Sequence, residues 1–192
     1  MYVKLGYVTL TTFPRGCKRL TKRARGTRAL RFRKFNARDS PKLNEVFTAQ
    51  TKDALGFVYR QDDFVERMVK TQQIRSEHIK VAVGHGKVVG YALTDAARDC
   101  VTVFELVGVD DSVRGHTIDA IEHTSDAKWA LCHSVSHSRI YQLYENKGYK
   151  MYKPGWGRAM AACVDGSLTI NEIVKLYGAD EGRFIIYSMD SF

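Results

Sequence analysis

The sequence predicts an α/β fold of the mixed α+β kind: a central mixed β-sheet flanked by helices, with a basic extension at the N-terminus. Three observations predict it. Segments of period two alternate along the chain with segments of helical period. An apolar strand, Val101–Val109, runs into an acidic turn and a helix, together VTVFELVGVDDSVRGHTIDA. A patterned hairpin, Val81–Leu93, precedes it and turns at Gly84-His85-Gly86.

The elements follow in order. Tyr2–Leu10 alternates apolar and polar residues and suits a strand that Pro14 and Gly16 break. Cys17–Arg28 is basic and poor in apolar residues, and reads either as a solvated surface arm or as an anion-binding one. An Arg-rich, acid-poor start also suits a mitochondrial presequence. Leu30–Phe35 is the next strand. Asp39 or Ser40 caps a helix with Pro41 in its first turn, and Leu43, Val46 and Phe47 line one face. Phe64, Val65, Met68 and Val69 repeat that pattern in a second helix. Strands at His78–Val83 and Lys87–Thr94 form the hairpin, and Ala96–Cys100 turns into Val101–Val109. Lys128–Val135 is another strand, and Ser138–Asn146 a helix stopped by Gly148. Pro154–Gly157 reads as a loop. Thr169 and Glu172 form a capping box that opens Ile170–Tyr177. Arg183–Ser188 suits a final strand.

The 192 residues fit one domain with an extension: an arm at 1–28 and a main domain at 29–192, with an inserted loop and helix at about 154–182. No apolar run approaches the ~20 residues that span a bilayer, and no apolar leader is read at the N-terminus. The four cysteines form no C-x-x-C pair, which fits reduced thiols and a cytoplasmic location. His133 and His137, with His116 or His123, lack a carboxylate or thiolate frame, so no metal is expected. Of the thirty Lys and Arg, twelve lie in residues 1–38, which hold no acid. The other eighteen face twenty-one acids, a balance of −3. This asymmetry points to an anionic partner bound through residues 1–38, with Lys18, Arg19, Lys22, Arg23, Arg25 and Arg28 as candidate nucleic-acid contacts.

The stretch from Val101 to Ala120 resembles the core motif of GNAT-type N-acetyltransferases, in which a bulged strand leads into an Arg/Gln-x-x-Gly-x-Gly/Ala loop. Arg114 holds the first position, and Thr117 and Asp119 fall at the two small ones. His137–Tyr149, with Leu143-Tyr144-Glu145 and Gly148-Tyr149, resembles the family's Asn-x-x-Ala-x-x-Leu-Tyr-Glu-x-x-Gly-Phe segment. The resemblance covers about residues 29–153. It implies a mixed, splayed sheet and acetyl transfer from acetyl-CoA, as cosubstrate, to an amine. It also implies that Tyr144 protonates the departing thiolate and that Glu105 acts as base. A bulge near Val107, Gly108 and Val109 offers an N–H to the reacting oxygen, and Arg114, Gly115, His116, Thr117, Ile118 and His137 contact the cofactor. Tyr59 and Arg60 line the acceptor side. Because Thr117, Asp119 and His137 depart from the pattern, a second expectation stands beside the first. It is a catalytically degenerate GNAT-fold protein serving as a structural or nucleic-acid-associated component, for example in the interior of a virion.

Overall fold

A computed structural model describes residues 7–21, 30–56, 59–136, 138–163, 166–179, 181, 183 and 184, with the backbone alone at 154–156. The chain runs β1 (Val8–Arg19), β2 (Arg31–Lys34), α1 (Ser40–Thr51), α2 (Phe64–Lys70), β3 (Ile79–Gly84), β4 (Lys87–Ala97), β5 (Cys100–Gly108), α3 (Asp111–Thr124), β6 (Trp129–His133), α4 (Arg139–Asn146), β7 (Lys150–Ala161) and α5 (Ile170–Leu176). The described strands form one sheet in the order β2-β3-β4-β5-β6-β1-β7. Every pairing is antiparallel except β5 with β6. The expected mixed sheet is therefore present.

Local chemistry sets the ends of these elements. Asn36 caps a 3-10 turn at Ala37–Asp39, and α1 follows with Pro in its first turn. The hairpin turns on His85 and Gly86, both at positive φ. Ser138 caps α4, and Thr169 with Glu172 forms the expected capping box of α5.

Two helical layers sandwich the sheet. A Cβ added at Gly90 or Gly108 would strike Val113, and at Gly108 also Arg114, so α3 lies directly on that face. Neighbouring strand residues point to opposite faces, and Tyr91 and Glu105 accordingly meet the α1–α2 side, through Arg60. A main core is built around Leu43, Phe47, Tyr91, Leu106, Ile118 and Tyr144, and a smaller one around Phe13, Val135, Ala179 and Phe184.

The fold corrects four expectations. First, residues 8–19 are not part of an arm: β1 runs through Pro14 and Gly16 and lies between β6 and β7. Pro14 falls at a register shift, where a missing N–H costs no ladder bond. Gly16 lies so close to Cys132 and Met151 that a Cβ would overlap both sulfur atoms. Second, Pro154–Gly157 belongs to β7, where the strand makes its detour between Tyr152↔Arg15 and Gly157↔Phe13. Third, the bulge in β5 is at Phe104, the extra residue between Val103↔Thr94 and Glu105↔Leu93, and not at Gly108. Fourth, α3 begins at Asp111, one turn before the expected loop. Of the expected final strand, Phe184 makes a single parallel bridge to Leu55, and residues 185–188 lie outside the described residues.

Gly90→Ala is expected to destabilise the protein by about 1–3 kcal/mol, because its Cβ would sit 2.6 Å from the Val107 carbonyl oxygen and 2.9 Å from Val113 Cγ1. A urea unfolding curve with unchanged midpoint would show that α3 does not rest on this glycine.

Candidate functional site

The sheet opens along β5. Parallel pairing with β6 runs from Cys100↔Trp129 only to Val103↔Cys132. Past that point the strands part, and the β5 groups facing β6 need other partners. At Gly108 those partners come from within the chain. Gly108 N–H donates to Gln50 Oε1 at 2.9 Å, and Arg114 Nη1 donates to the same oxygen at 2.8 Å and to the Gly108 carbonyl at 2.8 Å. Gln50 comes from α1 on one face and Arg114 from α3 on the other. The neighbouring N–H of Val109 is in the β4 ladder, bonded to the Val89 carbonyl. Val107 is wholly buried, and Val109 is exposed.

The N-terminus of α3 carries carboxylates. Asp110 caps it, accepting from Val113 N–H at 2.8 Å. Asp111 holds Arg114 through Nε at 3.1 Å and Nη2 at 2.5 Å. Arg114 is therefore buried and turned inward rather than offered to an anion. Gly115, His116, Thr117 and Ile118 lie inside the helix, where backbone N–H groups serve the helix itself. Thr117 Oγ1 donates to the Val113 carbonyl at 2.8 Å, and His116 Nδ1 donates to Ser112 O at 2.8 Å. The expected phosphate-binding loop at Arg114–Ile118 is thus corrected to helix. Asp119 points away from the helix N-terminus, to Nζ of Lys147 at the C-terminal cap of α4, with both oxygens at 2.7 Å. The donor set at this end does not fit a diphosphate: helix N–H groups attract anions, but the Asp110 carboxylate caps the terminus and Asp111 stands in the first turn.

Glu105 is not placed as a base. Arg60 grips it with Nη1 to Oε1 and Nη2 to Oε2, each at 2.7 Å, and Tyr91 OH donates to Oε1 at 2.6 Å. Both members of the ion pair are buried. Arg60 also stacks between Phe47 at 3.9 Å and Phe64 at 4.4 Å. It thus faces the core, while its neighbour Tyr59 is exposed. A signal for Arg60 existed: a glutamate in an otherwise apolar strand requires a buried cation. Nothing in the sequence pointed to Gln50. Tyr144 is fully buried and meets Tyr149 edge-on at 4.9 Å, so its ring is core and not the wall of an open cleft. Burial, followed by the Glu122 carboxylate, pushes the Tyr149 phenol up.

Other expected site residues scatter. Lys18 bonds Glu122 at 2.6 and 2.8 Å on the α3 side, and Arg19 is exposed. Lys22, Arg23, Arg25, Arg28 and His137 lie outside the described residues. Among the described residues no cluster of His, Cys, Asp or Glu is suited to a metal ion, and no helix is long and apolar enough to cross a membrane.

Comparison with solved structures places this architecture. A GCN5-related N-acetyltransferase from Sphaerobacter thermophilus matches 82% of the chain with TM-score 0.55 at 13% identity. Others from Kribbella flavida and Anabaena variabilis match 83% and 78%, each with TM-score 0.56, at 16% and 12% identity. The chain has the GNAT fold. It spans 52% of the length of the Sphaerobacter chain, and 39% and 40% of the other two. No protein-family profile and no curated protein sequence matches it. In this chain the edge of the opening past Val103 and the adjoining helix terminus are filled by the chain's own side chains.

Two outcomes follow from this bonding. Glu105→Leu leaves Arg60 buried without its partner and is expected to cost about 3–5 kcal/mol, whereas Arg60→Met with Glu105→Leu recovers most of the loss. Equal stability of the single and double variants in urea would overturn this. His133, half-buried and near Arg15, has its pKa lowered from 6.5 to about 4, by desolvation first and the Arg15 charge second. The fold thus favours its neutral form. Stability from this group is complete above pH 6.5 and falls toward pH 4, as the unfolded chain takes up a proton that the native state refuses. His133→Phe is expected to flatten that part of the profile of urea midpoint against pH.

Proposed function

We infer that this chain is a GNAT-fold binding component, working in a reducing compartment such as the cytoplasm, that engages an anionic partner and does not itself transfer acyl groups. The observation that carries this reading is the start of α3 at Asp111, which makes helix of the phosphate loop and sets Asp110 and Asp111 where a diphosphate needs donors. Support for the partner is charge: Arg15, Arg19, Arg31, Lys34 and Arg38 are exposed, and the basic run Lys22–Arg28 follows β1 in sequence.

A second reading keeps acetyl transfer from acetyl-CoA to an amine. It is favoured by the parting of β5 from β6 past Val103 and by the Leu143–Tyr149 segment. In that reading Gln50 and Arg114 must release Gly108 before an acyl-CoA can enter.

Calorimetry with acetyl-CoA separates the two. The expected result is no binding in the micromolar range by the wild type. Micromolar binding, with acetylation of an amine that Tyr144→Phe abolishes, would replace the first reading by the second. For the partner, deleting residues 1–28 would remove β1, so substitution is the proper test. Changing Lys22, Arg23, Arg25 and Arg28 to Gln is expected to weaken binding of a single-stranded polyanion. It should also flatten the plot of log K against log salt by about 0.7 for each phosphate no longer neutralised. An unaltered slope would remove this segment from the interface.

A further inference from the structure

Helices α1 and α2 cover one sheet face over β4 and β5. The same face continues across β6, β1 and β7; the small core around Phe13 and α5 cover one end of it, and past that end Arg15, Arg19, Trp129, Lys150 and Tyr152 reach solvent. Strand register fixes which residues share it. Gly16 turns its missing side chain toward Cys132 and Met151 on the α3–α4 side, so Arg15 and Arg19 point the other way. Arg19 lies opposite Trp129, and Arg15 lies opposite both His133 and Tyr152, with Lys150 in the row between. The bulge at Phe104 lets Glu105 remain under α1 while Phe104 stands edge-on to His133 at 5.4 Å.

The face is aromatic and basic. Trp129 is 43% exposed and Tyr152 56%, and Arg15, Arg19 and Lys150 are exposed. No acid stands in these rows on β6, β1 and β7. The nearest acids are Asp99, whose carbonyl accepts from Trp129 N–H at 3.0 Å and whose carboxylate is paired with Lys128 at 3.0 Å, and Asp95, beyond Thr102, which pairs with His78 at 3.2 Å. Neighbouring strands lie ~4.8 Å apart and alternate residues along a strand ~6.7 Å, so the rings are spread in two directions and successive unstacked bases can each meet a different one.

We propose that this sheet face binds single-stranded nucleic acid, with bases stacking on Trp129, Phe104 and Tyr152 and phosphates meeting Arg15, Arg19 and Lys150. Charge complementarity chooses the occupant: a chain of net charge +9 presents three cations in strand rows that hold no acid, and the carboxylate at their border, Asp99, is already paired with Lys128. Stacking needs free base faces, which a duplex withholds. Sugar contacts play no part, so ribose and deoxyribose strands bind alike. The inference rests on the reading above for the charge of the partner, and not on the state of the β5 edge.

The test is fluorescence polarisation with labelled oligo-uridine and oligo-thymidine, a duplex of equal length as competitor, and light scattering of the protein alone. The wild type is expected to bind both single strands alike and the duplex at least about tenfold more weakly. Trp129→Ala and Tyr152→Ala should each weaken binding about five- to a hundredfold with native unfolding midpoints, and Trp129→Phe should retain most of it. Arg15→Gln and Arg19→Gln should each lower the salt slope by about 0.7. If the wild type binds strands but the aromatic variants match it, the face is overturned and the polyanion reading survives. If the wild type binds no polyanion, both fall. Equal affinity for duplex, or a dimer that Trp129→Ala with Tyr152→Ala dissolves, would also overturn the assignment, the latter giving the face to a second copy of the chain.

Discussion

A single buried ion pair ties the α1–α2 layer to the sheet. Glu105 lies in the middle of a strand buried on both sides, where an uncompensated carboxylate is not tolerated. Arg60 reaches it from the segment between α1 and α2, with Phe47 of α1 and Phe64 of α2 against the faces of its guanidinium. Four elements thus converge on one group: β5 supplies the carboxylate, β4 the Tyr91 hydroxyl, and the two helices the rings. Such a pair adds little net stability over an apolar equivalent, but it admits few alternative arrangements. The same constraint withdraws Glu105 from proton transfer, since both its oxygens are held by donors.

The opposite layer is set by close packing rather than charge. Gly90 and Gly108 sit opposite each other in register, and their bare backbones allow Val113 and Arg114 to approach the sheet closely. That approach delivers the Arg114 guanidinium to the end of β5. Asp110 then closes the helix terminus, and Asp111 holds the remaining arginine donors. Position of the helix and neutralisation of its first turn are consequences of one short sequence, Gly108 to Arg114.

Much of the fold was legible because its signals are local. The hairpin, the two early helices, the β6–α4 unit and the α5 capping box each show in period or in cap residues. What was not legible depended on partners far along the chain. A strand of Arg15, Lys18 and Arg19 broken by Pro14 and Gly16 reads as an arm. Pairing with β6 and β7, more than 100 residues along the chain, makes it a strand, and Glu122 and the close wall of Cys132 and Met151 take up Lys18 and Gly16. The start of α3 is different, for Asp110 was readable as a cap. The Arg114-Gly115 pair drew the expected helix start one turn too far, and Gly115 in fact sits within the helix beside Lys147. Of the candidate site, Glu105 and Arg114 stand in the bonds that tie the two helical layers to β5, and Tyr144 stands in the core; none of their partners, Arg60, Gln50 or Tyr149, is marked by a local pattern.

The state of the β5 edge carries a general consequence for ligand entry. Where two strands part, each stranded N–H is a cost that a ligand can relieve, and part of the affinity of such a cleft comes from that relief. Here Gly108 N–H and C=O are both satisfied, by Gln50 and Arg114. An entering group must first break these bonds, one of them to a charged donor, and leave Arg114 with Asp111 and Gln50. It would meet the carboxylates of Asp110 and Asp111 at the helix terminus in exchange. The architecture of the opening and the chemistry of its edge are separable properties: in this chain the strands part past Val103, and the edge is satisfied by Gln50 and Arg114.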